Sequence, residues 1–260
     1  MSVFLTELYG ARELLFTWTM RDFKVRYSQS LLGAAWAILQ PLSLMVIFSV
    51  IFSVFIKVPT DGVPYPVFAY TALLPWTLFA NSLSTAIPSL VTNMSLVSKI
   101  HFPREILPLS AILVSFIDFL IACSVYVILL IFFQYPIGPT VLLVPLVLFI
   151  QIILTFALSL MASAFMVFYR DVRFVIPLAL QLWMYATPII YPITVVPEWL
   201  RPFYYLNPMA VLITAYRDII LHNQMPNWTY LGLATLLSGL LLVVAYPYFK
   251  QAERKFADLI

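Results

Sequence analysis

The sequence ILPLSAILVSFIDFLIACSVYVILLIFF at residues 106–133 is followed, after a short turn, by VLLVPLVLFIQIILTFALSLMASAFMVFY at residues 141–169. Each run is longer than the roughly 20 helical residues needed to cross a hydrocarbon core about 30 Å thick. The turn between them contains Pro136, Gly138 and Pro139, which favour a reversal of the chain. The two runs are therefore predicted to form an antiparallel hairpin of membrane-spanning helices.

The composition of the whole chain agrees with this prediction. Of its 260 residues, 63% are hydrophobic and 10% are charged, against about 45–50% and about 25% in soluble domains. Lipid must therefore be the solvent for most of the chain. The net charge of +3 is too small to indicate a nucleic-acid partner. The six glycines are too widely spaced to form a phosphate-binding loop, so no nucleotide site is expected in this chain.

Six apolar runs are predicted to cross the membrane, which makes the chain an all-α polytopic membrane protein. The transmembrane domain covers residues 31–249, between an amphipathic interface helix at 1–30 and a cytoplasmic tail at 250–260. The approximate spans are 32–56, 67–97, 106–133, 141–169, 174–193 and 228–249.

The positions of Lys and Arg predict the orientation of these spans, because cytoplasmic loops keep the excess of positive charge. Eleven Lys and Arg side chains fall on one side of the predicted membrane, and three, Lys57, Arg201 and Arg217, fall on the other. Both termini are therefore expected in the cytoplasm, in agreement with the even number of spans.

The segment 194–227 is the longest predicted external segment, and it is too apolar for a solvated loop. Four prolines divide it into pieces too short to span the membrane. We therefore expect re-entrant or interfacial helices that frame an opening. Arg217 and Asp218 close this segment, either as a charged terminus at the lipid headgroups or as part of a gate.

Few ionisable groups are placed where they would carry out chemistry, and no catalytic residue is expected. Asp22 and Arg26 are four residues apart, which favours a helical ion pair in the interface helix. Asp118 is the one acid deep inside a predicted span. Because no basic residue is expected at its depth, a hydrogen-bonded packing acid is favoured over a proton relay. His101 and His222 are predicted on opposite sides of the membrane, so no metal site is expected.

Several short strings gain meaning when they are considered together. The string RDFKVRYSQSLLG at 21–33 leads into Trp36 and Pro41, FPREILP covers 102–108, YRD covers 169–171, TPIIYP covers 187–192 and NP covers 207–208. In this order, and in these positions relative to six spans, they resemble the membrane subunit of the type-2 ATP-binding-cassette exporters of bacterial surface polysaccharides. These are the permeases for O-antigen, teichoic acid and capsule.

The resemblance, which covers nearly the whole chain, implies a half-transporter that dimerises and binds two copies of a separate cytoplasmic ATPase. ATP and Mg would be bound by that ATPase, so this chain would hold no cofactor of its own and would not be an enzyme. The substrate would be a lipid-linked polysaccharide of the O-antigen kind, carried outward across the bacterial inner membrane.

The resemblance also implies roles for particular segments. The N-terminal helix and the loop between spans two and three would rest on the ATPase, with residues 99–105 forming a coupling helix, and the segment after span five would gate the exit. The coupling residues would be Arg21, Lys24, Arg26, Lys99, His101, Phe102, Pro103, Arg104, Glu105, Arg170 and Asp171. The external gate would contain Pro188, Pro192, Asn207, Pro208, Arg217 and Asp218.

The pathway implied by the resemblance lies between two copies of the chain, along spans one, two and five. A sugar polymer presents hydroxyl groups and apolar C–H faces, so its path is expected to offer aromatic rings and neutral hydrogen-bonding groups. The candidates are Trp36, Tyr70, Trp76, Phe79, Asn81, Ser82, Ser84, Tyr185 and Tyr191.

Other classes of function predict their own patterns of residues. An export permease for a different amphiphile, such as teichoic acid, another lipid or a drug, has the same general pattern. A secondary transporter would be expected to show an internal repeat or paired interrupted spans with ionisable groups. A membrane enzyme would need clustered acids or histidines near one interface. The sequence offers neither pattern beyond the lone Asp118.

Overall fold

The computed structural model describes residues 9–28, 30–60, 62–97, 99–100 and 102–256, and all regular secondary structure within these ranges is helical. The α-helices are α1 (Arg12–Tyr27), α2 (Trp36–Ser49), α3 (Tyr65–Ala86), α4 (Ser89–Thr92), α5 (Met94–Val97), α6 (Ile106–Phe132), α7 (Val144–Phe168), α8 (Val172–Tyr185), α9 (Arg201–Tyr205), α10 (Pro208–Ile220) and α11 (Trp228–Phe256). The prediction of an all-helical chain is confirmed for these residues.

Four helical segments within the described residues are long and apolar enough to cross a membrane: Gly33–Phe55, Ile106–Phe132, Pro139–Phe168 and Trp228–Phe256. The first consists of a 3-10 turn, α2 and a π-helical stretch, and the third of a 3-10 turn followed by α7. These segments coincide with the predicted spans one, three, four and six. The short connection at 133–138 joins α6 to α7, and the two helices contact each other.

The predicted spans two and five differ from the helices that form. The run 67–97 is divided into α3, α4 and α5, because Pro88 has no N–H with which to continue the hydrogen bonds of α3. The run 174–193 ends as a helix at Tyr185, before Pro188. The resulting α8 has 14 residues, which span only about 21 Å at a rise of 1.5 Å per residue. In the sixth run α11 continues to Phe256, so residues 250–256 of the predicted tail are helical.

The helix α3 is surrounded by the rest of the protein. Its side chains Tyr70, Leu73 and Phe79 are fully buried, and α2, α6, α7 and α10 pack around it. Protein, rather than lipid, covers most of this helix. It can therefore carry buried polar residues such as Thr71 and Ser82, which lower its hydropathy below that of the four long apolar segments.

A second apolar core lies at the predicted cytoplasmic end of the bundle. It joins the beginning of α6 to α7 and to the last turns of α11, through Leu107, Leu160, Phe249 and Phe256. The main packing partner of α11 is α7, whereas the main partner of α6 is α3. The second core is therefore where these two helix pairs meet.

Gln151 joins three helices inside the bundle. Its side-chain nitrogen donates a hydrogen bond to the carbonyl of Pro75 at 2.7 Å, and its side-chain oxygen accepts one from the hydroxyl of Tyr216 at 3.0 Å. Gln151 is fully buried, so water is not available to replace it. It thereby connects α7 to α3 and to α10.

We expect the substitution Gln151→Leu to lower the free energy of unfolding by about 1–3 kcal/mol, because it leaves the Pro75 carbonyl and the Tyr216 hydroxyl buried without this partner. Thermal unfolding of the purified protein in detergent measures the loss. Gln181→Leu is the matched control, since Gln181 is exposed on α8. Equal unfolding temperatures for the two variants would contradict the role given to Gln151.

Candidate functional site

The N-terminal helix α1 packs across α6. Near its middle, Trp18 stacks on Phe102 with ring centroids 5.9 Å apart, and the guanidinium of Arg21 lies 4.0 Å from the Trp18 ring. Asp22 pairs with Arg21 at 2.8 Å, and Arg26 reaches α6 instead. The expected ion pair between Asp22 and Arg26 is therefore wrong, because each side chain has a different partner.

The charged side chain at the end of α1 is the partner of Asp118. Arg26 Nη1 lies 2.5 Å from Asp118 Oδ2, and the hydroxyl of Tyr27 donates to Asp118 Oδ1 at 2.6 Å. The side chain of Asp118 is 10% exposed and that of Arg26 is 27% exposed. Such a carboxylate is stable only when a cation and hydrogen-bond donors reach it.

This pair corrects the expectation that Asp118 has no basic partner. That expectation assumed that α1 lies at the membrane surface, away from the depth of Asp118. One signal in the sequence points to the pair: a lone acid in an apolar run requires a cation, and Arg26 lies shortly before the first span. Arg26 is accordingly turned toward α6, and its predicted role in ATPase coupling stays a prediction.

A cavity of about 320 Å³ lies next to this ion pair. The end of α1, the beginning of α2, the second half of α3 and the middle of α6 form its walls. The lining residues are Arg26, Tyr27, Trp36, Ala37, Gln40, Asn81, Ser84, Thr85 and Asp118. Three of the predicted pathway residues, Trp36, Asn81 and Ser84, therefore meet here, beside an amide, a hydroxyl and a charge-neutral ion pair.

Four other predicted pathway residues do not face an open surface. Tyr70, Phe79 and Ser82 are fully buried, and Trp76 is 4% exposed. Tyr70 stacks on Tyr126, and Phe79 packs between Trp76 and the edge of Trp183. The prediction that these four side chains line a pathway does not agree with this burial, because they form the core around α3.

Tyr185 and Tyr191 lie in a third place: Tyr185 is the last residue of α8, and Tyr191 follows it in the irregular backbone. The hydroxyl of Tyr191 donates to the carbonyl of Tyr185 at 2.9 Å and is 3.0 Å from the hydroxyl of Tyr204. The nine predicted pathway residues are therefore divided among the cavity, the core and the region around the end of α8.

The predicted coupling helix at 99–105 is not helical in its described residues. The short helices α4 and α5 precede it, and residues 99–100 and 102–105 lead into α6 without forming a helix. Pro103 explains this, because proline cannot donate a backbone hydrogen bond and disfavours a helical conformation in the residue before it. His101 lies outside the described residues.

The predicted coupling residues differ in orientation. Glu105 is 1% exposed, and the side chain of Arg104 is 15% exposed and directed toward α11. These two side chains therefore face α11, and their predicted role in ATPase coupling stays a prediction. Phe102 and Pro103 are half-buried. The exposed members of the set are Arg21, Lys24, Lys99, Arg170 and Asp171.

The predicted external gate is organised around Arg217. This side chain is 5% exposed, and its guanidinium donates to the carbonyls of Pro188, Ile189 and Tyr191. It also lies 3.7 Å from the centre of the Phe68 ring. Arg217 is therefore not a charged terminus at the headgroups. It fixes the irregular backbone at 188–191 against α3 and α10.

Asn207 anchors the residues just before this backbone, at the end of α8. Its oxygen accepts from the backbone N–H of Met209, capping α10, and from the indole N–H of Trp183 at 2.9 Å. Its side-chain nitrogen donates to the hydroxyl of Thr187 at 2.9 Å. Asn207 and its neighbour Pro208 are thereby joined to the end of α8, and the predicted gate residues Pro188, Pro192, Asn207, Pro208 and Arg217 belong to one assembly.

Asp218, the remaining predicted gate residue, lies apart from the contacts of Arg217 and Asn207. It lines a separate cavity of about 240 Å³ with Tyr205 and Tyr230, whose rings are stacked with centroids 3.8 Å apart. Burial raises the pKa of Asp218 to about 6, and the positive charges of His222 and Arg217 oppose this shift. Within the ranges that the structure describes, no three His, Cys, Asp or Glu side chains gather as a metal site requires.

Comparison with known proteins shows the family of this chain. Residues 13–221 match the family described as "ABC-2 type transporter". The chain belongs to this family. As a member of the ABC-2 family it is a multi-pass membrane permease subunit of a transporter, which confirms the resemblance seen in the sequence.

Individual relatives match the chain over nearly its full length. It is 32% identical over 251 residues to the O-antigen export system permease protein RfbA of Klebsiella pneumoniae, with 95% of each chain covered. It is 31% identical over 258 residues to the protein of that name from Myxococcus xanthus, with 98% of each covered. The polysialic acid transport protein KpsM of Escherichia coli is 21% identical over 243 residues, covering 90% of this chain and 91% of KpsM.

We expect the substitution Arg26→Met to lower the free energy of unfolding of the permease by about 3 kcal/mol, because it leaves the Asp118 carboxylate without its cation. The double substitution Arg26→Met with Asp118→Leu should recover more than half of this loss, since the unpaired charge is then removed. Thermal unfolding in detergent measures both effects. Lys24→Met is the matched control, because Lys24 is exposed on the same helix; a double variant less stable than Arg26→Met alone would contradict the pairing.

The substitution Arg217→Met should release the backbone at 188–191. The loss of buried hydrogen bonds from a charged donor is worth about 1.5–3 kcal/mol, so the amides of 189–191 are expected to exchange roughly 10- to 100-fold faster by local opening. Hydrogen exchange followed by mass spectrometry measures this change. Arg201→Met is the control, since Arg201 also donates to backbone carbonyls but its side chain is 32% exposed; unchanged exchange in Arg217→Met would rule out this role.

Proposed function

We propose that this ABC-2 permease exports a lipid-linked polysaccharide of the O-antigen kind across the bacterial inner membrane. The observation that carries the proposal is its similarity, over nearly the whole chain, to permeases named for O-antigen export. The cavity beside Arg26 and Asp118 supports it, because an indole ring, amides and hydroxyls suit the C–H faces and hydroxyl groups of a sugar.

The transport pathway lies between two copies of the chain. The beginning of α2 carries Trp36, which is 53% exposed beside the cavity, and α8 exposes Phe174, Leu178, Leu182 and Tyr185. This exposed apolar surface allows a second copy of the chain to complete the wall of the pathway. Trp36, Asn81 and Ser84 would then contact the passing glycan, while Tyr185 and Tyr191 lie nearer to its exit.

The membrane arrangement has six spans, with both termini in the cytoplasm. Besides the four long apolar segments, α3 crosses the membrane with other helices of the protein packed around it. The helix α8 crosses together with the irregular backbone at 186–192 that follows it. The helices α9 and α10 are re-entrant elements of an external gate, which the contacts of Arg217 and Asn207 hold in one conformation. The excess of Lys and Arg in the cytoplasmic loops supports this orientation.

Two copies of a separate cytoplasmic ATP-binding-cassette ATPase supply the energy and bind ATP and Mg. The exposed residues of the predicted coupling set share the cytoplasmic side in this orientation: Arg21 and Lys24 on α1, Lys99 after α5, and Arg170 and Asp171 in the turn between α7 and α8. They form the surface on which the ATPase docks. The short helices α4 and α5, rather than residues 99–105, are the helical part of that surface.

A different polymer is a second candidate for the substrate. The similarity to KpsM, a protein named for polysialic acid transport, makes polysialic acid or a similar polymer the alternative. The identity of 21% to KpsM is lower than the 32% and 31% to the O-antigen permeases. O-antigen is therefore the substrate class that the comparisons favour.

Removal and replacement of the chain in its native host tests this function. Loss of the gene should abolish the surface polysaccharide and leave the lipid-linked glycan inside the cell, and the purified chain should carry an ATP-binding-cassette ATPase with it. A strain without the chain that still displays the glycan, or a chain that transports without an ATPase, would contradict the proposal.

The substitution Trp36→Ala is expected to lower the surface polysaccharide by about two- to tenfold, since an aromatic contact is worth about 0.5–1.5 kcal/mol. Gel analysis of extracted polysaccharide measures this amount. Trp228→Ala is the matched control, because Trp228 is also 53% exposed but lies on α11, away from the cavity. The amount of each variant in the membrane is measured in parallel, and equal export by the two variants would remove Trp36 from the pathway.

A further inference from the structure

A cluster of four charged side chains joins the loop before α6 to the end of α11. Arg104 and Glu105 come from the loop, and Lys250 and Glu253 come from the last turns of α11. Two positive and two negative charges balance within this cluster. None of these contacts is required for either helix to form, because both helices are long and apolar.

Glu105 is the most buried member of the cluster. It is 1% exposed, and Lys250 Nζ lies 2.8 Å from its Oε1. Lys250 also lies 3.2 Å from Glu253 Oε2, one turn further along α11. Glu105 immediately precedes α6, yet its carboxylate does not cap that helix. Its side chain instead pairs with Lys250 of α11.

Arg104 makes the second connection. Its Nη1 donates to the backbone carbonyl of Glu253 at 2.5 Å, and its Nη2 donates to the carbonyl of Val97 at 3.4 Å. The guanidinium also lies 5.7 Å from the centre of the Phe256 ring. Arg104 therefore touches the end of α5, its own loop and the end of α11 at once.

The cluster lies between two helices that otherwise pack against different partners. The helix α6 packs mainly against α3, whereas α11 packs mainly against α7. The second apolar core, with Leu107, Phe249 and Phe256, brings the beginning of α6 and the end of α11 together, and the four charges lie beside this core. Any displacement of the loop at 99–105 must therefore either move α11 or break a buried ion pair.

We propose that the end of α11 braces the loop at 99–105, with Lys250 and Glu253 as positioning residues, so that a force on this loop moves α6 and α11 as one body. The inference rests on the proposed function, since it assigns α11 a part in transmitting the motion of the ATPase. The loop then contacts the ATPase through its exposed residue Lys99, while its inner residues Arg104 and Glu105 carry the force into the membrane.

Hydrogen exchange in lipid nanodiscs, without an ATPase, tests the brace by itself. Lys250→Met removes the ammonium group beside Glu105, and the amides of 104–107 are expected to exchange at least about tenfold faster. Arg254→Met is the control, because Arg254 is exposed on the same part of α11. Unchanged exchange in Lys250→Met, or an equal change in both variants, would overturn the brace.

A reconstituted complex of the permease with its ATPase tests whether the cluster transmits force from the loop to α6 and α11. Lys250→Glu places a third carboxylate beside those of Glu105 and Glu253, so export per ATP hydrolysed is expected to fall at least about tenfold, while ATPase binding and ATP hydrolysis continue. The charge exchange Glu105→Lys with Lys250→Glu should recover at least half of the export. Wild-type export by Lys250→Glu, or no recovery in a charge-exchange variant that unfolds at the wild-type temperature, would overturn the role.

These results are distinguishable from a failure of the proposed function. If the unmodified chain neither carries an ATPase nor exports a glycan, the proposed function is wrong. The hydrogen-exchange result would still decide whether Lys250 holds the loop, because that measurement involves neither an ATPase nor a substrate.

Discussion

The ion pair between Arg26 and Asp118 controls the arrangement of the functional region. A carboxylate in the middle of an apolar helix is costly in lipid unless a cation reaches it, and here the cation comes from the end of α1, 92 residues earlier in the chain. The pair thereby holds α1 against α6. Only a short connection separates α1 from α2, so the same constraint places Trp36 at the wall of the cavity.

The irregular backbone at 188–191, in the predicted external gate, depends on a related constraint. Carbonyl groups that are not used in a helix need donors, and in apolar surroundings these donors must come from side chains. Arg217 supplies them to the backbone at 188–191, and Asn207 links the beginning of α10 to the end of α8. One arginine and one asparagine thus give a definite conformation to a segment that contains few helical hydrogen bonds.

The sequence predicts the long apolar helices well and the protein-covered helices poorly. The runs that became α6, α7 and α11 have only one stable arrangement in lipid, a continuous helix, so hydropathy alone identifies them. The helix α3 is covered by protein, and its end is decided by Pro88 and by packing rather than by the thickness of the membrane. Residues of α3 that looked suitable for a pathway, such as Phe79, are for the same reason used in the core.

The sequence by itself determined that the chain lies in lipid, which of its runs form long helices, and the family to which it belongs, since these follow from local composition and from strings of adjacent residues. Only the tertiary structure decided that Asp118 pairs with Arg26, that Arg104 and Glu105 face α11, and that Arg217 is buried. The physical reason is that hydropathy is a property of a continuous run. Ion pairs and burial depend instead on residues that are distant in the chain and meet only when the helices pack.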